Sequence, residues 1–140
     1  MLDNTIKKPA GPQIRVLYAE DMKELRELMR IVLTREGYSL ETCENGRLAL
    51  DRLSLNLADY DLLITDHHMP VMNGLELVRQ VRQLPFPGKI VVFSSELSPS
   101  VHADYIALHV DRVLPKPILP DTLRQLLVEM FLPVSLSGRS

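Results

Sequence analysis

The chain alternates short apolar runs with amphipathic stretches, and it does so five times. Ile14–Ala19 is apolar almost throughout and reads as a central strand. Tyr38–Cys43, Tyr60–Thr65, Lys89–Phe93 and the short Asp111–Leu114 read as four more strands. Between them the period changes to that of a helix. Met22–Arg35 puts Met22, Leu25, Leu28, Met29 and Val32 on one face, with Gly37 as a natural stop. A second helix starts at Asn45 with Ala49, Leu50 and Leu53 inward. A third runs from Asn73 to about Leu84, with Leu75, Val78 and Val81 inward, and stops at Pro85 and Pro87. Ser100–Leu108 is a shorter helix. Leu119–Phe131 is the last, with Pro120 in its first turn and Leu123, Leu126, Leu127 and Met130 as its buried stripe. Strands that alternate with helices pair in parallel, through right-handed crossovers, with helices on both faces of the sheet. The expected fold class is therefore α/β and doubly wound. A functional site in such a sheet lies beyond the carboxyl ends of the strands, at the point where strand order reverses.

Those ends carry chemistry. The first strand stops on Glu20-Asp21, the third on Asp66, the fourth on Ser94-Ser95, and the fifth leads to Lys116. Carboxylates, a hydroxyl and an amine gathered at one edge suit a divalent cation beside a phosphoryl group. Each residue also has a plainer reading. Asp66 could open a turn, the acidic pair could favour a helix N-terminus, Ser94 could be an ordinary strand-end hydroxyl, and Lys116 a solvated lysine.

Size and composition narrow the class. A chain of 140 residues suits one domain. A net charge of −2 gives no broad basic footprint, so direct nucleic-acid binding is disfavoured. No apolar run approaches a membrane span. Lys7 and Lys8 are not followed by an apolar core, so the N-terminus is not read as a secretory signal. The single cysteine, Cys43, lies in an apolar-patterned stretch and reads as a small core residue; a reducing cytoplasm is the natural expectation. Residues 1–13 read as a flexible leader, 14–132 as the domain and 133–140 as a flexible tail.

From Ile14 to Phe131 the sequence resembles the receiver domain of bacterial two-component response regulators. The resemblance rests on Glu20-Asp21, on Asp66 followed by Met69-Pro70-Val71-Met72-Asn73-Gly74, on Ser94, and on Lys116-Pro117, in that order and each at an expected strand end. It implies a flavodoxin-like (βα)5 fold with strand order 2-1-3-4-5. It also implies that Asp66 accepts a phosphoryl group, that Ser94 and Lys116 hold the phosphoryl oxygens, and that the Lys116–Pro117 bond is cis. Mg2+ would be held by Asp21, Asp66 and the backbone carbonyl of His68, with Glu20 acting largely through water. His68 and Glu96 would flank the phosphoryl group and tune how water reaches it.

The adjacent histidines His67 and His68 are expected to be exposed loop residues, because neighbours leaving a strand point to opposite sides and chelate one ion poorly. The sequence also departs from the family in three places. Glu20 replaces the commoner aspartate. Val113 stands where many receivers carry Tyr or Phe. Ala107-Leu108-His109-Val110 replaces a glycine-containing segment. Tyr105, on the fourth helix, is expected to be a packing residue, the alternative being that it substitutes for the missing aromatic. The face made by the fourth helix, fifth strand and fifth helix, with Arg112, is an expected partner contact.

Three functions are compatible with these residues. The first is a switch that takes phosphoryl from a sensor histidine kinase and signals by binding a target protein; no effector domain is expected after Phe131. The second is a phosphorelay shuttle, or the receiver part of a hybrid kinase, passing phosphoryl to a histidine phosphotransfer protein. Neither is a turnover enzyme. The third is a phosphatase of the haloacid dehalogenase type; it needs a second acid where His68 stands, and a cap domain for which there is no room.

Overall fold

The computed structural model describes residues 13–131. The expected leader, apart from Gln13, and the expected tail lie outside the described residues. The elements follow in order β1 (Arg15–Ala19), α1 (Lys23–Arg35), β2 (Ser39–Cys43), α2 (Gly46–Leu55), β3 (Leu62–Asp66), α3 (Gly74–Arg82), β4 (Lys89–Ser94), α4 (Pro99–Ala107), β5 (Arg112–Pro115) and α5 (Pro120–Phe131). All strand pairs are parallel, and the order across the sheet is β2-β1-β3-β4-β5. This is the flavodoxin-like arrangement expected from the sequence.

Strand parity divides the core in two. Leu17, Ala19, Leu63, Ile90 and Val92 face the layer that includes Ala49, Leu77, Val78 and Tyr105. Val16, Tyr18, Leu62, Ile64, Val91 and Phe93 face the other, with Met29, Leu33, Leu123 and Leu127. Central strands buried on both sides explain why β1, β3 and β4 read as continuous apolar runs rather than alternating ones. Cys43 is buried, as its apolar context implied.

Helix ends are fixed by local side chains. Asn45, Asn73 and Ser98 each accept a hydrogen bond from the backbone N–H three residues on, at 2.9, 2.9 and 3.2 Å. Pro99 opens α4, where its missing N–H costs nothing. Asn45 and Asn73 therefore precede their helices instead of beginning them.

Three expectations need correction. The buried face of α1 is narrower than its apolar stripe and shifted along it. Met29 and Leu33 are buried, while Met22 and Leu28 are 50% and 48% exposed. The reason is a groove of about 380 Å3 between α1 and α5, lined by Met22, just before α1, and by Leu25, Leu28 and Val32 of α1. The third strand starts at Leu62, because Leu57–Asp59 form a short 3-10 turn and Tyr60 lies outside the strand. It also runs one residue further than expected, to Asp66, as β4 does to Ser94.

Candidate phosphoryl-acceptor site

The site forms because strand parity and register place distant residues at one edge. Tyr18 and Glu20 share a side of the sheet with Ile64 and Asp66, two residues apart on each strand. Asp66 pairs in register with Phe93, so Ser94 emerges one step beyond it. The Lys116 N–H donates to the Ser94 carbonyl at 2.9 Å, which carries the lysine backbone to the same edge. The Lys116–Pro117 bond is cis.

Lys116 Nζ then donates to Asp66 Oδ1 at 3.1 Å and to Glu20 Oε1 at 3.2 Å. Glu20, fully buried, also accepts from the Tyr18 hydroxyl at 3.1 Å and from the Met22 N–H at 3.1 Å. Each of its oxygens is thus already engaged. Asp21 is exposed. Oxygens of Glu20, Asp21 and Asp66 lie within 4.8 Å of one another.

Electrostatics follow from burial. Burial, more than the neighbouring Asp66 charge, pushes the Glu20 carboxyl above its ordinary value, although the Met22 N–H and Lys116 oppose the shift. Burial works against the charge on Lys116, but hydrogen bonds and charge from Asp66 and Glu20 outweigh it and the amine stands above its usual value. Burial first, and then the Glu20 carboxylate, push the Tyr18 hydroxyl well up, so it remains a donor. A set of three carboxylates, compensated by one amine, is the all-oxygen donor set that a hard divalent cation takes.

Close approach fixes the floor. Gly74 N–H donates to the His67 carbonyl at 2.9 Å. A Cβ on Gly74 would collide with the Asp66 carbonyl oxygen and stand 2.8 Å from the Tyr105 hydroxyl, so only glycine fits there. Gly46 does the same work one loop away, where a Cβ would meet the Met72 carbonyl oxygen at 2.5 Å. Ser94 is buried, and its Oγ accepts from the Glu96 N–H at 3.3 Å. Glu96 and His68 are both exposed.

The sequence reading missed His67. It is buried rather than exposed, and its Nδ1 lies 2.6 Å from the Tyr105 hydroxyl. Its ring is 4.7 Å from that of His68, so the two do not diverge. The strand has ended by then, and strict alternation no longer applies. Parity did hold one residue earlier: continuing Leu63 and Thr65 carries residue 67 to the α3–α4 side. Tyr105 is more than a packing residue, since it is fully buried and hydrogen-bonded.

The five-stranded parallel fold, with an acidic cluster and a lysine at its strand ends, is that of a receiver-type signalling domain. Residues 16–128 match the response regulator receiver domain family, and the chain belongs to it. Two-component response regulator ORR41 of Oryza sativa subsp. japonica is 33% identical over 122 residues, covering 86% of this chain and 96% of that one. Response regulator MprA of Mycolicibacterium vanbaalenii is 33% identical over 117 residues, 84% of this chain but 48% of the regulator. The transcriptional regulatory protein CutR of Streptomyces coelicolor is matched over 47% of its length, so the chain spans about half of such regulators. Among solved structures, chemotaxis response regulator CheY4 of Vibrio cholerae superposes with a TM-score of 0.78 at 30% identity, covering 86% of this chain and all of that one. No helix among the described residues is long and apolar enough to cross a membrane.

Proposed function

We propose that this receiver domain is a phospho-accepting switch of a two-component system, working in the cytoplasm, with Asp66 as the acceptor. The observation that carries the reading is the meeting of Asp66 with Lys116, Glu20 and Asp21 at one strand edge. A carboxylate oxygen of Asp66 attacks the phosphorus of a phosphohistidine on a sensor histidine kinase. The O–P bond forms as the P–N bond breaks, and the imidazole leaves with the electron pair and takes a proton from water. Lys116 follows the transferring group as a point charge, exchanging a carboxylate contact for a phosphoryl oxygen. Ser94 turns its hydroxyl from the Glu96 backbone to a second phosphoryl oxygen.

Magnesium, when bound, offsets the negative charge that gathers on the phosphoryl oxygens. Asp21, Asp66 and the His68 carbonyl are the residues to hold it. Glu20 already accepts from Tyr18, Met22 and Lys116, which suits a role through water. The modified domain then signals by protein contact, either to a target or onward to a histidine phosphotransfer protein.

Intact-mass measurement after incubation with Mg2+ and a small acyl-phosphate donor tests this reading. One phosphate-sized addition to the parent, absent from Asp66→Asn, is expected; an unmodified parent contradicts it.

A further inference from the structure

Helix α4 touches the rest of the fold in an unusual way. Tyr105 is its one buried residue, and the hydroxyl of that residue ends against the strand that carries Asp66. His67 directly follows Asp66, and its backbone is pinned on both sides: its N–H donates to the Phe93 carbonyl at 3.0 Å, and its carbonyl accepts from Gly74 at 2.9 Å. Its ring meets the Tyr105 ring edge-on, with centroids 5.5 Å apart. The His67 Nδ1 and the Tyr105 hydroxyl lie 2.6 Å apart, a hydrogen bond enclosed in the core whichever of the two carries the proton. The hydroxyl also fills the space that Gly74 leaves open. The residue after β3, the first residue of α3 and the one buried residue of α4 therefore meet around one oxygen atom.

We propose that Tyr105 is a positioning residue for the site, which through its hydrogen bond to His67 fixes the backbone running from Asp66 to the His68 carbonyl and thereby couples cation binding to the seating of α4. The proposal rests on the reading of the site given above. Its physical basis is mutual restraint. A buried hydrogen bond between ring groups leaves the 66–68 segment little freedom, and a ligand that needs the His68 carbonyl in one place benefits from that restraint. Coupling of this kind is reciprocal: whatever Tyr105 contributes to cation affinity, the cation returns to the seating of Tyr105 and so of α4. With Val113 in place of an aromatic residue on β5, this contact gives the site a different physical connection to the α4 surface.

The test uses Tyr105→Phe, which keeps the ring and removes the hydroxyl, together with His67→Leu and the double variant. Mg2+ titration without any phosphoryl donor, followed by backbone amide NMR, gives the affinity. Hydrogen exchange of α4 amides with and without saturating Mg2+ gives the coupling. Tyr105→Phe is expected to weaken Mg2+ at least threefold and to abolish the slowing of α4 exchange that Mg2+ produces in the parent. Because Tyr105 acts through His67, the double variant is expected to match His67→Leu alone. If Tyr105 only packs, the variant lowers global stability but keeps the parent's Mg2+ affinity and α4 response, and the proposal is overturned. A parent that binds Mg2+ with linked α4 protection yet takes no phosphate sinks the phospho-acceptor reading and leaves the coupling standing. A parent that takes phosphate normally, with Tyr105→Phe indistinguishable in both readouts, sinks the coupling alone.

Discussion

Lys116 holds its ammonium 3.1 Å from Asp66 although 50 positions separate the two in the chain. The same nitrogen reaches Glu20 at 3.2 Å, so one cation compensates two buried carboxylates. It occupies charge space that a metal would share, and it is also placed to meet a phosphoryl oxygen. These two roles make opposite predictions for its removal. Lys116→Met is expected to bind Mg2+ several-fold more tightly, because a competing positive charge is gone. It is expected to accept phosphoryl on the order of 100-fold more slowly, the usual scale for losing a donor to developing negative charge. Mg2+ titration and the rate of label incorporation, measured on the same preparation, check both directions.

Binding that favours the folded state raises its stability. If the acidic site holds Mg2+, a concentration 100 times the dissociation constant adds about 2.7 kcal/mol. Thermal melts of the parent are expected to move up with Mg2+ and to saturate. Asp21→Asn, an exposed change that disturbs no packing, is expected to remove the response. A melting temperature that still climbs with Mg2+ in the Asp21→Asn variant would place the ion elsewhere.

The exposed His68 side chain is expected to affect how water reaches a phosphoryl group, while only its backbone carbonyl is proposed to hold Mg2+. His68→Ala is therefore expected to change the lifetime of the aspartyl phosphate and to leave Mg2+ affinity nearly unchanged. Decay of label in the presence of Mg2+ decides the point, and a lifetime equal to the parent's removes the tuning role.

Away from the site, the Tyr60 hydroxyl donates to Glu41 at 2.6 Å. Burial, and then that carboxylate, push Tyr60 up to about 12. A raised folded value favours the protonated phenol in the folded state. Its contribution is therefore complete below the unfolded value near 10 and is lost as pH rises from there through about 12. Urea midpoints of the parent are expected to fall across that window more steeply than those of Tyr60→Phe. Parallel pH profiles for the two proteins would contradict the assignment.

The turn from α4 to β5 carries a second structural prediction. His109 sits at φ 60°, in the left-handed region, where the family segment it replaces contains glycine. Arg82 of α3 secures this turn by donating to the Leu108 and His109 carbonyls, both at 2.8 Å. Arg82→Ala is expected to destabilise the fold by about 1.5–3 kcal/mol, the range for hydrogen bonds that involve a charged group. Denaturant unfolding measures it, and a midpoint unchanged from the parent would show that the turn holds itself.

The sequence revealed the strand ends because two simple signals coincide there. Apolar runs marked the buried strands, and polar residues at their carboxyl ends had only one edge on which to meet. Asp66, Glu20, Asp21 and Lys116 were therefore legible before any coordinates. The face of α1 was less so. Its apolar residues outnumber what one buried stripe needs, and only the packing of α5 shows that Leu28 lines an open groove. His67 was hidden for a different reason. Its partner lies 38 positions away on α4, and a pair like that leaves no periodic trace in sequence. The signals that existed were parity along β3 and the single aromatic residue on α4, and each is weak without the other.

The most direct test of the acceptor site is to locate the modification. The phosphorylated protein can be reduced with borohydride, which converts an aspartyl phosphate to homoserine, and then digested and sequenced by mass spectrometry. Homoserine at position 66 alone is the expected result. Homoserine at another acidic residue, or phosphate retained on a serine or histidine with position 66 untouched, would contradict the assignment of Asp66.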